Sequence, residues 1–258
     1  MALPIEAGYR VSKDPIYSEN QLSRFATDLP DTFIEVFEEP QSGDGDGNLG
    51  RYLEAYEKMR ARLLEQKYES YIPEIVDSDE EDNWVAFAVV EGGYTLDELI
   101  KSHPDGIVGR DWAWIVRRIL TVLILAERKP DLRLENLLIH PLGHGVILLG
   151  WQPEEDPTSF PLDNLAKLMA AYSDGSRESD EILTFVRQSG KDYRKNRVDH
   201  LDLKVDSGGS DLLSYQRILE EFQLKLQRLY GARKFHELTV SELSTPYLSK
   251  ESEELQGA

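Results

Sequence analysis

Three residues whose side chains can support catalysis lie in one short polar segment near the middle of the chain: Asp131, Arg133 and Asn136. A carboxylate can accept a proton, and carboxylate and amide oxygens suit a hard cation such as magnesium. Asp and Asn side chains also readily hydrogen-bond the backbone of their own loop, so a purely structural role stays open.

The elements that must position this segment are a helix before it and a hairpin after it. The apolar stretch from Asp111 to Glu127 leaves little polar surface and predicts a buried central helix. A small hairpin is predicted from Leu137 to Ile139 and from Val146 to Leu149. Further helices are predicted near Thr95 to Lys101, Pro161 to Tyr172, Ser179 to Gln188 and Asp211 to Tyr230.

The first third of the chain has a different pattern. Short alternating runs predict strands at Arg10 to Ile16, Leu22 to Asp28, Thr32 to Phe37, Glu74 to Asp77 and Trp84 to Val90, with one amphipathic helix at Gly50 to Lys67. The pattern changes to helix after Glu91, Gly92 and Gly93, which we interpret as a hinge. We therefore expect an α+β fold with an N-lobe at 1–91, a C-lobe at 92–235 and a loosely held tail at 236–258.

This order of elements resembles that of protein kinases: a five-stranded antiparallel N-lobe with one helix, followed by a mainly helical C-lobe. The stretch from Pro130 to Ile139, Pro-Asp-Leu-Arg-Leu-Glu-Asn-Leu-Leu-Ile, resembles the kinase catalytic loop His-Arg-Asp-Leu-Lys-Pro-Glu-Asn-Ile-Leu-Ile. The resemblance implies that Asp131 is the base-like carboxylate, Asn136 a metal ligand, and Arg133 the counterpart of the loop lysine.

A closer resemblance is to a degenerate kinase-like family of bacteria and phages, often fused behind a J domain. Its members carry stretches similar to His103-Pro104-Asp105-Gly106, to Ile139-His140-Pro141 followed by His144-Gly145, and to Arg228-Leu229-Tyr230-Gly231. His140 and His144 flank a tight turn, and we expect ordinary turn histidines there and no metal site.

Compared with active kinases, the positions that bind phosphate are changed. The segment from Tyr17 to Arg24 corresponds to the glycine-rich loop but contains no glycine, and Glu19 adds a negative charge. The strand lysine corresponds to Glu35, which would repel a phosphate, and Phe33 on the same side of the strand would fill part of the adenine pocket. The helix glutamate that pairs with the lysine could be Glu54 or Glu57. A second interpretation places Phe33 and Glu35 on a half-exposed edge.

The metal-binding Asp-Phe-Gly triplet corresponds to Gly150-Trp151-Gln152, so the resemblance implies that the main magnesium ligand is lost. Too few residues separate Trp151 from the helix near Pro161 to form an activation segment. We therefore expect a pseudokinase with a degenerate ATP site and no cofactor. ATP and magnesium belong only to the alternative, an atypical serine/threonine kinase or small-molecule phosphotransferase.

Composition limits the partners. The 258 residues carry 48 acidic and 29 basic side chains, a net charge of -19 that repels nucleic acid and anionic lipid. The sequence has no cysteine and no apolar run long enough to span a membrane, which predicts a cytoplasmic protein. We expect a protein partner and a regulatory or interaction role, with a phage or structural assembly component as a third possibility.

Overall fold

The computed structural model describes residues 9–19, 22–29, 31–37, 48–65, 72–89, 92–125, 132–141, 144–149, 161–201, 207–232 and 238. Asp131, Glu91 and Gly150 lie outside these ranges. In the described ranges no helix combines the length and the apolar character that crossing a membrane requires.

The N-terminal part is an antiparallel sheet with one helix. Its strands are β1 (Tyr17–Glu19), β2 (Leu22–Ala26), β3 (Thr32–Phe37), β4 (Glu74–Asp79) and β5 (Trp84–Ala88), and helix α1 (Asn48–Glu65) follows β3. The strands lie in the order β1-β2-β3-β5-β4 across the sheet. Four strands have five or six residues, whereas β1 has three and lies at one edge.

The predicted first strand from Arg10 to Ile16 is wrong. This segment makes one isolated bridge, Val11 to Thr27, and the strand begins only at Tyr17. The short polar run Ser12-Lys13-Asp14-Pro15 explains the difference, because proline lacks the amide proton that a ladder needs.

The C-terminal part is mainly helical. Its helices are α2 (Leu96–Ser102), α3 (Gly109–Leu125), α4 (Pro161–Tyr172), α5 (Arg177–Leu201) and α6 (Ser207–Tyr230). A three-stranded sheet of β6 (Tyr94–Thr95), β7 (Leu137–His140) and β8 (Gly145–Leu148) replaces the predicted two-stranded hairpin. Helix α5 has 25 residues, so it extends well beyond the predicted segment from Ser179 to Gln188.

The hinge glycines Gly92 and Gly93 directly precede the first strand of this small sheet. Gly92 has a φ of +86°, which favours glycine, and a Cβ at Gly93 would lie 2.7 Å from Cδ2 of Leu138 in β7. The next two residues form β6, which pairs with β7. The proposed division at residues 91 and 92 therefore falls where the chain leaves one sheet for the other, and the division into lobes stays a prediction.

The two faces of the larger sheet bury different sets of side chains. The outer face forms a small cluster covered by Tyr9 and Val11. The inner face joins α1 and the helical part in one main core, to which Leu22, Phe33, Phe37, Val85, Phe87 and Trp112 all belong. Leu238, within the predicted loose tail, is also buried in this core.

Candidate functional site

The inner face of the sheet carries an unexpected charged pair. β2 and β3 are antiparallel neighbours in a register that places Arg24 directly opposite Glu35. Because side chains alternate along a strand, Arg24 lies on the same face as Leu22, and Glu35 on the same face as Phe33 and Phe37. Both charged residues are about 1% exposed.

The pair is held by direct bonds. Arg24 donates from Nη2 to Oε1 of Glu35 at 2.7 Å and from Nε to the same oxygen at 3.1 Å. The second oxygen of Glu35, Oε2, accepts from the hydroxyl of Tyr52 in α1 at 3.3 Å. Each oxygen of this buried carboxylate therefore has a described donor, as burial of a charge requires.

The guanidinium also reaches the turn that follows the catalytic-loop resemblance. Its Nη1 donates to Oδ1 of Asn136 at 3.3 Å and approaches the carbonyl oxygen of Glu135 at 3.5 Å. Asn136 is fully buried at the end of a one-turn 3-10 helix, Leu134–Asn136. Arg24, Glu35, Tyr52 and Asn136, which we call the Arg24 network, thus join four separate elements: β2, β3, α1 and the Leu134–Asn136 turn.

Aromatic rings cover the network on its inner side. The Arg24 guanidinium carbon lies 5.0 Å from the centre of the Phe33 ring, within cation-π range. Phe33 stacks on Phe87 with ring centres 5.3 Å apart, and Tyr52 packs against Phe37 at 4.9 Å. The second interpretation, a half-exposed edge for Phe33 and Glu35, is therefore wrong: Phe33 is 1% exposed.

Burial in this part of the core raises the pKa of two tyrosines of α1. Burial, and secondly the charge of Glu35, raise the pKa of the Tyr52 phenol well above its ordinary value. The same two causes raise the pKa of Tyr56. Both hydroxyls therefore remain protonated donors: Tyr52 donates to Glu35, and Tyr56 donates to the carbonyl oxygen of Pro73 at 2.6 Å.

Neither candidate for the helix glutamate, Glu54 or Glu57, faces Glu35. Glu54 is exposed and pairs with Lys58, and Glu57 is also exposed. Helical spacing gives the reason, because Tyr52, Tyr56 and Met59 are three or four residues apart and form the buried face of α1. Glu54 and Glu57 lie outside that face, and the side chain of α1 that bonds Glu35 is the phenol of Tyr52.

The segment from Tyr17 to Arg24, which corresponds to the glycine-rich loop, includes residues of β1 and of the predicted strand β2. β1 and β2 are antiparallel neighbours, and Glu19 lies opposite Leu22 in their register. Arg24 is a strand residue in this arrangement. Sequence reasoning missed its role, although one signal was available: a charge alternating with Leu22 and Ala26 in a strand next to β3.

The side-chain amide nitrogen of Asn136 is buried, whereas its backbone groups are bonded. Its backbone is satisfied, since its N–H donates to the carbonyl oxygen of Arg133 and its carbonyl oxygen accepts from the N–H of Leu149. The side-chain nitrogen, Nδ2, is buried and has no hydrogen-bond partner among the described residues. Arg133 itself has an exposed side chain. No cluster of three or more possible metal ligands occurs within the described part of the chain.

His103 and the turn after it behave as an ordinary connection. Nδ1 of His103 lies 2.8 Å from the carbonyl oxygen of Leu99 and 2.9 Å from Oγ of Ser102, close to the end of α2. Gly106 follows with a φ of +90°. These contacts fit a turn between two helices.

Solved structures that are similar to this chain include two kinase-like proteins. No protein-family model and no curated protein matches the sequence. The pseudokinase domain of BIR2, an immune regulator of the RLK/Pelle family, is similar over 84% of this chain and 85% of its own, with 12% identity and a TM-score of 0.47. Vaccinia related kinase 3 is similar over 88% of this chain and 90% of its own, with 13% identity and a TM-score of 0.49. At these scores neither likeness assigns a function to this chain.

Proposed function

We propose that this chain is a protein-kinase-like module that does not transfer phosphate and instead acts by binding a protein partner. The support comes from the order of elements, an antiparallel sheet with one helix followed by a helical part, together with the catalytic-loop resemblance at Pro130 to Ile139. The observation that carries the proposal is the Arg24 network.

The first reason against phosphate transfer is that the cation and the possible metal ligand already bond to groups of the protein itself. Phosphoryl transfer needs a cation with donors directed at the phosphates and oxygen ligands that can reach a metal. Here the guanidinium of Arg24 already donates to Glu35 and Asn136, and it is buried. The Asn136 oxygen that would serve as a ligand is taken by that same guanidinium.

Charge is a weaker reason than the sequence indicated. A lone carboxylate at Glu35 would repel a phosphate, but the salt bridge to Arg24 makes the pair neutral overall. The proposal therefore depends on the buried side chains of the Arg24 network and on the bonds that the Arg24 guanidinium already makes. The expected loss of the magnesium ligand at Gly150 is a separate argument, which comes from the resemblance alone.

A protein partner is proposed from the charge of the whole chain. A net charge of -19 opposes nucleic acid and anionic membranes, and it favours a partner with a complementary basic surface.

Thermal stability in the presence of ATP with magnesium or manganese tests this function. A ligand at one hundred times its Kd stabilises a folded protein by about 2.7 kcal/mol, and about 1 kcal/mol moves Tm by roughly 2–4 °C at this size. We expect no such shift at millimolar nucleotide. A shift of several degrees that is abolished in Asp131→Ala would contradict the proposal.

The rival function, an atypical phosphotransferase, has one observation in its favour. Nδ2 of Asn136 is a buried donor without a described partner, and a cation lies beside it. Incubation with radiolabelled ATP separates the two functions. Phosphate transfer or hydrolysis that is lost in Asn136→Ala, with the variant still folded by circular dichroism, would establish the enzyme; absence of both supports the binding module.

A further inference from the structure

The Arg24 network connects parts of the chain that are remote in sequence. Arg24 and Glu35 belong to the larger sheet, whereas Asn136 lies 112 residues beyond Arg24, in the turn that leads into β7. The bonds from Nη1 to Asn136 and to the Glu135 carbonyl therefore cross from the sheet to the helical part.

The fixed geometry of the guanidinium determines which way its remaining donor points. A guanidinium is planar, keeps its charge and presents five donors in a fixed fork. One side of the fork, Nε and Nη2, is fixed by Glu35, so Nη1 can point only to the opposite side, where Asn136 and Glu135 lie. Stacking of Phe33 near the guanidinium carbon restricts the remaining rotation.

Burial of the guanidinium also favours its contact with the Asn136 turn. A guanidinium that is about 1% exposed must have acceptors for its donors, because water cannot supply them. If the turn at Asn136 moved away from the sheet, Nη1 would lose both of these acceptors. The separated arrangement is thus disfavoured by the same desolvation that makes an isolated buried charge unfavourable.

We propose that Arg24 is a latch that holds the larger sheet against the Leu134–Asn136 turn without any nucleotide. The inference rests on the proposed function, since it assumes that the kinase-like cleft serves no ligand. The guanidinium supplies internally the positive charge and the bridging bonds between the two parts. A partner that contacts both parts would then meet one preformed arrangement.

Amide hydrogen exchange on the full chain, without nucleotide, tests the latch. The informative variant is Arg24→Met/Glu35→Met, because replacing both members of a buried ion pair with apolar side chains often preserves the fold. The reporters are the N–H groups of Asn136 and Leu149, which bond to Arg133 and Asn136. We expect their exchange to become about tenfold faster, the loss that one charged hydrogen bond represents.

A matched control separates the latch from a general effect of removing an ion pair. Glu54→Met/Lys58→Met removes an exposed pair from α1, and we expect unchanged exchange at both reporters. If the two double variants exchange alike at Asn136 and Leu149, the latch is refuted.

A second variant keeps the test decisive if the first does not fold. Arg24→Lys retains the charge beside Glu35 but has a single nitrogen and no Nη1 branch toward Asn136. We expect the same acceleration at the two reporters, and wild-type exchange in this variant would also refute the latch. Slower exchange of wild-type protein on adding ATP with magnesium would instead count against the proposed function, so the two failures are distinguishable.

Discussion

At the scale of single residues, the charged pair of the sheet is formed by neighbouring strands. The kinase resemblance places a cation on β3 and a carboxylate on the helix, whereas here the carboxylate is on β3 and the cation is on β2. The helix contributes the hydroxyl of Tyr52. Glu35, which corresponds to the strand lysine of kinases, is therefore still part of a buried ion pair, but it supplies the negative charge and Arg24 of β2 supplies the positive one.

Removing one member of this pair tests its energetic role. Glu35→Ala leaves the Arg24 guanidinium buried without its carboxylate, which typically lowers the free energy of unfolding by about 3–5 kcal/mol. Urea denaturation followed by circular dichroism measures the change. Glu54→Ala, on the exposed face of α1, is the control and should stay within about 0.5 kcal/mol of wild type. Equal effects of the two substitutions would show that burial of the pair has no energetic consequence.

At the scale of elements, the connection from α2 to α3 depends on one glycine. The amide of Ile107 donates to the carbonyl oxygen of Tyr172, and the amide of Asp174 donates to that of Ile107, so the chain here lies against the end of α4. A Cβ at Gly106 would lie 2.5 Å from the carbonyl carbon of Ser173, which is backbone and cannot move aside as a flexible side chain can.

This close approach predicts a difference between two glycines. Gly106 and Gly175 both have positive φ, but a Cβ at Gly175 would meet nothing within 4 Å. Alanine at either site carries the backbone strain, whereas alanine at Gly106 adds a steric clash of about 1–3 kcal/mol. Thermal unfolding of Gly106→Ala and Gly175→Ala should show the larger loss at Gly106. Similar losses would mean that the contact with Ser173 relaxes easily.

At the scale of the whole molecule, one core joins the sheet to the helical part, and alkaline pH acts on that core. Tyr52 and Tyr56 belong to it, and burial raises the pKa of both phenols. Above the ordinary phenol pKa of about 10, the unfolded chain releases protons that the folded chain retains. Their contribution to stability is therefore complete below that pH and is lost as the pH rises toward the folded values.

The expected result is a steep loss of stability on the alkaline side. Each phenol that titrates only in the unfolded chain lowers the unfolding free energy by about 1.4 kcal/mol per pH unit. Urea unfolding at a series of pH values above 10 measures how the free energy of unfolding depends on pH. Tyr52→Phe should reduce this slope by about 1.4 kcal/mol per pH unit, the contribution of one phenol. An unchanged slope in that variant would mean that Tyr52 titrates alike in both states.

The sequence alone determined the order and type of most elements. Periodicity identified α1, α3 and α4 and the strand from Thr32 to Phe37, because the burial of one face leaves a repeat of 3.6 or 2 residues in the chain. The same alternation correctly placed Phe33 and Glu35 on one face of β3. Its failures were local, as at Arg10 to Ile16, where polar residues and a proline interrupt the pattern.

Only the tertiary structure decided what Glu35 faces. The register between β2 and β3 sets Arg24 opposite Glu35, and the rotation of α1 selects Tyr52 over Glu54 and Glu57. Contacts such as Arg24 to Asn136 join residues 112 positions apart, and no local repeat encodes their distance. A charge in a sequence therefore shows only that a charge is present, whereas its partner is fixed by packing between elements.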